Sequence, residues 1–351
     1  MDRTTVDVYE RRAADWIAKR NRPAPPSLDR LAQRATGVVA DVGSGPGWHS
    51  AALGSEVVAF DAAWAMAERI REFAPDAWPV QADVEWLPFR RSTFGGAWAH
   101  KCYQHLPAEH LPIALAELHR AMSVGAPLDL RVTSEHHVPD ADDPFEGRYF
   151  AGWTDARLRD VAEGAGFDIE SVVDDGDEWV DLVATRARTL PDTVGPGMRL
   201  LLVGLNPSLV AADAGYGFAS PSNRFWPAAL GSGVLTKAHD SFQALRVDGI
   251  GMTDVVKRAT PRADAVTTAE YRAGADRVER LVVWLQPAAV CFVGLDGYRK
   301  ARNRKATTGW QDEPFGTTPA YVMPNPSGLN AHTKPAGFEA HLRAALEGPN
   351  T

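Results

Sequence analysis

Cysteine is nearly absent from this chain: its 351 residues hold two, Cys102 and Cys291. Two thiols give no disulfide framework and fall short of the four thiolates that hold an iron–sulfur cluster. No apolar run approaches the roughly 18 to 20 residues of a membrane-spanning helix. The opening stretch MDRTTVDVYERRAADW carries no apolar signal core, so a soluble, cytoplasmic protein with no membrane contact is expected. Internal repeats are absent, and so is any His/Cys/Asp grouping at metal-ligand spacing. His136 and His137 are merely adjacent in a polar stretch, and no metal is expected.

Positive charge is also scarce, with 37 Lys and Arg against 45 Asp and Glu, a formal net charge of -8. The deficit is uneven. Residues 189–351 hold 17 basic and 14 acidic side chains, leaving 20 and 31 for the rest, so the first half carries -11 and the second +3. Between the halves, TLPDTVGPG from Thr189 to Gly197 has two prolines and two glycines in nine residues, which reads as a linker. Strand and helix patterns alternate on both sides of it, hence two α/β domains, 1–188 and 198–351, joined by 189–197. A hydrophobic content of 45% lets each bury its own core. The proline-rich NRPAPPSLDR, Asn21 to Arg30, is expected to link an N-terminal helix carrying Tyr9 and Trp16 to the first core.

In the first half, VVADVGSGPGWHS (Val38 to Ser50) reads as a strand, a glycine turn and a helix. Gly43, Gly45 and Gly47 allow a sharp turn and close approach of backbone to a ligand. Asp61 ends the next strand, 20 residues after Asp41, where a carboxylate accepts from ribose hydroxyls. Asp83 follows the third strand in QADVEWLPF. This stretch, with FGGAWAHKCYQHLP, LAELHRAMSVGAPLDLRV and WTDARLRDVAEGAGFDIESV, resembles class I S-adenosylmethionine-dependent methyltransferases over roughly Val8 to Ala187. The resemblance implies a Rossmann-like domain with a seven-stranded sheet that binds S-adenosyl-L-methionine. Asp41, Gly43, Gly45, Gly47, Asp61 and Asp83 match the family's cofactor-binding positions, with Asp83 meeting the adenine amino group. The methyl acceptor is unknown. The Asn/Asp-Pro-Pro-aromatic motif of amino-directed DNA methyltransferases is missing, and Cys102 lies outside any Pro-Cys pair. His100 and His105 are acid/base candidates by position, but a satisfied structural histidine is the preferred account of each, and no catalytic base is assigned in this half. Cys102 is expected as a small buried residue.

In the second half, the strand-like runs Met198–Val203 and Ala320–Met323 each lead into an Asn-Pro loop, GLNPS at Gly204–Ser208 and NPSGLN at Asn325–Asn330. Asn206 and Asn325 stand 119 residues apart, and both loops are expected to leave one edge of one sheet. An Asn-Pro pair alone is a common turn. Here a glycine-rich loop, Ala214–Ala219, and SNRFW, Ser222–Trp226, lie between the two. Order, spacing and NRFW together resemble the mismatch-specific uracil/thymine branch of the uracil-DNA glycosylase superfamily over Met198 to Leu346. The likeness implies a three-layer α/β/α domain that excises uracil, thymine or an alkylated or etheno base from damaged or mismatched duplex DNA, without metal or other cofactor. By resemblance, Asn206 holds the attacking water, Phe218 stacks on the extruded base, Gly204, Ser208 and Asn325 line the base site, and Gly328 with Leu329 fills the gap in the duplex.

The chemistry needs such groups. A base in a duplex has to be rotated out at a cost of a few kcal/mol, and cleavage needs a placed water and donors toward the leaving base. Asn206 can accept from water and donate to the base edge, but an amide is no strong base. Ser208 stands where the branch has Gly, and Ala331 where relatives can have Arg, which leaves guanine-opposed mismatch preference open. The run YRKARNRK puts five cations in eight residues, namely Arg299, Lys300, Arg302, Arg304 and Lys305, read either as a solvated helix face or as a phosphate-tracking patch. Asp254 either orients a water or caps a helix starting at Val255. The resulting expectation is a monomeric, nucleoid-associated DNA glycosylase fused to a methyltransferase. Two alternatives stay open: a small-molecule methyltransferase with a degenerate DNA-binding glycosylase module, and a noncatalytic damage sensor.

Overall fold

The computed structural model describes residues 1–19, 23–137 and 145–349. They divide into two compact units, Met1–Ala187 and Arg188–Thr351.

The first unit is built on seven strands: β1 Val39–Val42, β2 Val57–Asp61, β3 Trp78–Gln81, β4 Gly96–His100, β5 Pro127–Thr133, β6 Phe167–Asp174 and β7 Trp179–Arg186. Their spatial order is β3-β2-β1-β4-β5-β7-β6. β1 runs parallel to both β2 and β4, and β7 is antiparallel to β5 and β6. Burial of every residue in β1 fits a parallel strand covered on both faces. The chain steps outward through β2 and β3, then returns to place β4 on the other side of β1. The C-terminal ends of β1 and β4 thereby flank the switch point where open α/β sheets hold their ligands. The N-terminal helix spans Arg3–Lys19 and carries Trp16 on its buried face. A second helix, Pro26–Arg34, starts within the proline-rich segment with Pro at its first turn; residues 21 and 22 of that segment lie outside the described residues. One expectation fails: after the glycine turn there is only a three-residue 3-10 turn, Ser50–Ala52. His49 and Ser50 enter it through a turn bond from Ser50 N to Gly47 O, and no longer helix develops. His136 and His137 sit at the edge of the described residues.

The second unit has five strands: β8 Leu200–Gly204, β9 Ile250–Asp254, β10 Val290–Val293, β11 Gly309–Trp310 and β12 Ala320–Met323. The order is β11-β12-β10-β8-β9, all parallel except β11. Strand alternation sends β8 side chains both ways. Leu201 and Val203 join a core with the helix Thr268–Leu285, whereas Leu200 and Leu202 join one with the helices Phe225–Gly231 and Pro335–Glu347. Three layers, α/β/α, result. Thr267 opens the long helix with a capping box to Glu270.

The segment 189–197 is no free linker. It packs inside the second unit, with Leu190, Asp192, Thr193 and Val194 buried and Thr193 bridged to Met252 through reciprocal backbone bonds of 2.9 and 3.0 Å. Asp192 explains why. Its carboxylate accepts from Thr253 Oγ1 at 2.6 Å, Lys257 Nζ at 2.7 Å and Arg277 Nη1 at 2.7 Å. Burial raises its pKa, but Arg277, Lys257 and these bonds outweigh that and hold it below the usual carboxylate range. Removing one partner of a buried ion pair costs about 3–5 kcal/mol, because the other charge is left alone. Arg277→Met is therefore expected to destabilise residues 188–351 by about that much, measured on the full chain by denaturant-dependent hydrogen exchange, while exchange in 1–187 stays unchanged.

Candidate functional site

In the first unit a cavity of about 770 Å³ opens at the ends of β1, β2 and β4, within the ~300–1,000 Å³ typical of small-molecule sites. Gly43 makes this possible. Its φ is +61°, and a Cβ built on it would lie 2.1 Å from Cys102 Cβ, so only glycine lets the β1 turn meet the loop after β4. Cys102 is buried, as its size suggested, and desolvation pushes its thiol well above the ordinary range. Gly45 N donates to Asp61 Oδ2 at 3.0 Å and Ala63 N to Asp61 Oδ1 at 2.9 Å, which ties the glycine turn to the end of β2. Trp16 covers the turn and stacks on Trp48 with ring centroids 4.8 Å apart.

Asp41, Gly43, Gly45 and Asp61 all line this cavity. Gly47 lies outside its lining and packs on Ile70 instead. Burial pushes Asp41 up to about 7, against the lowering effect of its 2.6 Å bond from Ser50 Oγ. Burial likewise raises Asp61 to about 6. A buried and a half-buried carboxyl with no counter-cation among the described residues suit a ligand that carries positive charge. Asp83 departs from expectation, because it is not among the lining residues. Its Oδ1 accepts from Glu85 N at 3.0 Å and faces the Met1 amine at 3.2 Å. His105 is a structural histidine: Nδ1 meets Tyr149 O at 2.7 Å and Nε2 meets Tyr9 Oη at 3.1 Å.

In the second unit both Asn-Pro loops leave the C-terminal end of the sheet, from β8 and β12, with β10 between them. Asn206 is held by three bonds from Nδ2, to Pro207 O (3.1 Å), Arg258 O (3.2 Å) and Thr260 Oγ1 (2.7 Å). Its donor is therefore engaged by the chain, which corrects the expectation that it also reaches a base edge. Oδ1 has no partner among the described residues. Ser208 Oγ caps the helix Leu209–Ala214 by accepting from Ala211 N at 3.1 Å, so this serine serves its own helix. Asn325 Oδ1 closes a turn with Ser327 N at 3.0 Å and is committed in the same way.

Gly204 faces Asp254 across the β8–β9 pair, and a Cβ on Gly204 would lie 2.2 Å from Asp254 Oδ1. Asp254 ends β9, and no helix starts at Val255. Instead Val255 N and Val256 N donate to Gly204 O and Leu205 O at 2.9 and 3.0 Å, which prolongs the pairing and rules out the cap. Burial pushes Asp254 up to about 6, aided by Asp192 and opposed by Lys257 and Arg277. Asp254 and Phe218 line a crevice of about 30 Å³ that excludes Asn206 and Asn325. That space suits one or two waters and is too small for a flat ring. Phe218 sits at φ +58°, a strained value for a non-glycine residue, with one ring face stacked on Phe225 at 4.0 Å.

The role of NRFW, singled out only by resemblance, now has a physical basis. Asn223 Oδ1 accepts from Phe225 N at 2.9 Å, and Trp226 Nε1 donates to Gly217 O at 2.9 Å. Arg224 donates to Thr333 O and Ser327 O at 3.0 Å each and to Asn330 O. Asn330 holds the same loop from within, through Asn325 O, His332 N and Thr333 N. Gly328 presses on Ser222, where a Cβ would approach to 2.6 Å. At the tip Leu329 is 95% exposed. Sequence reasoning missed Arg224, Asn330 and Thr260, whose one available signal was the buried or loop-bound polar side chain beside each motif. The cationic run is only partly free: Arg299 donates to Ala306 O at 2.9 Å, Arg302 pairs with Glu279 at 3.0 Å, and Lys300 lies 5.3 Å from the Tyr271 ring. Arg304 and Lys305 are exposed without an ion pair among the described residues.

Residues 191–347 match the Uracil DNA glycosylase superfamily, and residues 39–125 match a family described as Methyltransferase domain. Similar solved structures include a Haloferax volcanii Trm112 methyltransferase activator in complex with a putative methyltransferase, at 17% identity, covering 53% of this chain and 98% of that one, TM-score 0.44. Another is the Burkholderia thailandensis 1,6-didemethyltoxoflavin-N1-methyltransferase with S-adenosylhomocysteine, at 19% identity, covering 52% and 85%, TM-score 0.41. A Methanosarcina mazei SAM-dependent methyltransferase matches at 16% identity, covering 47% and 99%, TM-score 0.41.

Arg224→Met removes the cation that three loop carbonyls share. Hydrogen bonds to a charged donor contribute about 1.5–3 kcal/mol, so amides of His332 and Thr333 are expected to exchange at least roughly tenfold faster, read by hydrogen-exchange mass spectrometry.

Proposed function

Because the chain carries a uracil DNA glycosylase superfamily domain at 191–347 and a methyltransferase domain at 39–125, we propose that it is a DNA glycosylase joined to a methyl-donor-dependent transferase. The second unit hydrolyses the N-glycosidic bond of uracil, or of thymine or an etheno or alkylated base, in mismatched duplex DNA, and releases free base and an abasic site. One observation carries this reading: the oriented Asn206 amide and the exposed Leu329 leave the same end of one sheet on braced loops. Asn206 Oδ1 accepts from the attacking water. Water held by a fixed acceptor attacks without the entropy cost of a free encounter. Phe218 stacks on the extruded base after turning from its present crevice, and Leu329 occupies the vacated gap. Arg304 and Lys305 meet the phosphates, which makes binding salt-dependent.

The first unit binds S-adenosyl-L-methionine between the Gly43–Gly45 turn, Asp41 and Asp61. When bound, that molecule supplies an activated methyl group on a sulfonium. The chain's own part is to close the glycine turn round it, exclude water under Trp16 and match its positive charge with buried carboxylates.

Single-turnover release from end-labelled duplexes carrying G·U, A·U, G·T or ethenocytosine tests the glycosylase. Asn206→Ala is expected to lose roughly 100-fold in rate with DNA binding kept. Leu329→Ala should slow A·U more than G·U, since extrusion is cheapest at a mismatch. Binding without release from any wild-type duplex would defeat the reading and favour a damage sensor.

Charge matching gives a pH test of the other unit. With Asp41 raised to about 7 and Asp61 to about 6, both are mostly neutral at low pH, and a cationic ligand has to displace their protons. S-adenosylmethionine is expected to bind more tightly as pH rises from about 5.5 to 7.5, with the smaller part of that gain, the part due to Asp61, absent in Asp61→Asn. Calorimetric titration across that range reads it, and a flat profile in the wild type would count against the assignment.

A further inference from the structure

One wall of the first-unit cavity has hydrogen-bond acceptors that no described residue satisfies. His100 is the last residue of β4 and lines the cavity. The Gly43–Cys102 contact fixes the segment that follows it, and Lys101 turns the chain at φ +63°. The imidazole is stacked on Trp98, with centroids 3.4 Å apart and planes 16° from parallel. Nε2 lies 2.7 Å from Asp129 Oδ1, whose carboxylate is 3% exposed and also accepts from Arg30. A carboxylate beside a guanidinium only accepts, so Nε2 carries the hydrogen and Nδ1 is left as a bare lone pair. Nδ1 has no partner among the described residues.

Burial lowers the His100 pKa, and Arg131 adds to that; Asp129 and Asp181 oppose without reversing it. The ring is thus neutral at pH 7, the state in which a base is ready. Other charged groups around it are Arg30 from the second helix, Lys101 on its own loop, and the Arg131–Asp181 pair at 2.6 Å on β5 and β7. The second observation is independent. Gln104, 3% exposed and lining the same cavity, has a buried Oε1 with no partner among the described residues. Native structures rarely leave such an atom unsatisfied without a reason, and an absent ligand is one.

Resting on the methyl-donor reading of this cavity, we propose that His100, positioned by Asp129, is the proton acceptor for methyl transfer. The methyl acceptor is a flat ring that bears an ionisable N–H or O–H for His100 and a second donor for Gln104, between the cavity's aromatic side chains Phe150 and Trp179. In the step, a lone pair on the ring heteroatom attacks the sulfonium methyl carbon. The heteroatom–carbon bond forms as the sulfur–carbon bond breaks, and that electron pair leaves on sulfur as a neutral thioether. The heteroatom's proton passes to His100 Nδ1, and the imidazolium, stabilised by Asp129, returns it to water.

The test uses the full chain. Imidazole 15N shifts, assigned by loss of one signal set in His100→Asn, are expected to show a neutral Nε2–H tautomer at pH 7; an Nδ1–H tautomer or a charged ring overturns the assignment. Calorimetry with S-adenosylhomocysteine should give the same affinity within about threefold in wild type and His100→Asn. Labelled methyl transfer is then measured with 2-pyridone, hypoxanthine, catechol and 4-nitrophenol. At least one is expected to accept, with kcat in His100→Asn down roughly 10²–10⁴-fold at little-changed KM, and the smallest loss on 4-nitrophenol, the ring that ionises most readily unaided. Asp129→Asn keeps the ring in place but allows the amide to donate to Nε2, so the tautomer should flip and kcat fall. Homocysteine-adduct binding with no ring methylated, or with kcat unchanged in His100→Asn, overturns the proposal. Failure of S-adenosylhomocysteine to bind the wild type instead removes the methyl-donor reading and the proposal with it.

Discussion

Both candidate sites depend on one steric condition, two neighbouring strand ends meeting where no side chain fits between them. In the first unit Gly43 ends against Cys102, and in the second Gly204 ends against Asp254; an added Cβ would come within 2.1 and 2.2 Å of them. Parallel strands collect their C-terminal loops on one edge of a sheet, but 4.7–4.9 Å spacing alone leaves those loops apart. Removing a Cβ at the exit lets one loop fold over its neighbour. The cavity near His100 and the crevice near Phe218 both lie beside such a contact.

Charge is handled differently in the two units, and the difference follows from what surrounds each carboxylate. Asp192 has two cations and a hydroxyl within hydrogen-bond reach, stays ionised and anchors the segment 189–197. Asp41 is buried and Asp61 and Asp254 are half-buried, none has a directly paired cation among the described residues, and desolvation raises their pKa values. The first carboxylate stabilises its surroundings, whereas the other three hold a capacity for charge that a bound ligand can draw out.

The layered fold was legible from apolar runs and glycine turns, because strand period and buried burial pattern are local properties. Motif order located the two Asn-Pro loops for the same reason. What escaped was long-range. Thr189–Gly197 has linker composition, yet Asp192 within it answers Arg277, 85 residues away. Asp254 looked like a helix cap because its neighbours in sequence permit one; the backbone of Gly204 and Leu205 claims the next two amides first. Asn206 was located, but which of its amide atoms stays available depends on Arg258 and Thr260, over 50 residues on. Asp83 matched a position in a pattern, and position in sequence does not specify which cavity a carboxylate borders.

The bracing of the 325–333 loop by Arg224 and Asn330 has a thermodynamic corollary. Ordering a loop residue costs about 1–2 kcal/mol of backbone entropy, and here that loss is taken during folding. Whatever surface Leu329 enters, it arrives on a segment already fixed, so association carries no coupled-folding penalty and no large ordering heat. A single exposed leucine is then an edge on a rigid tool: its contribution depends on where the loop points rather than on how strongly a flexible chain is drawn in.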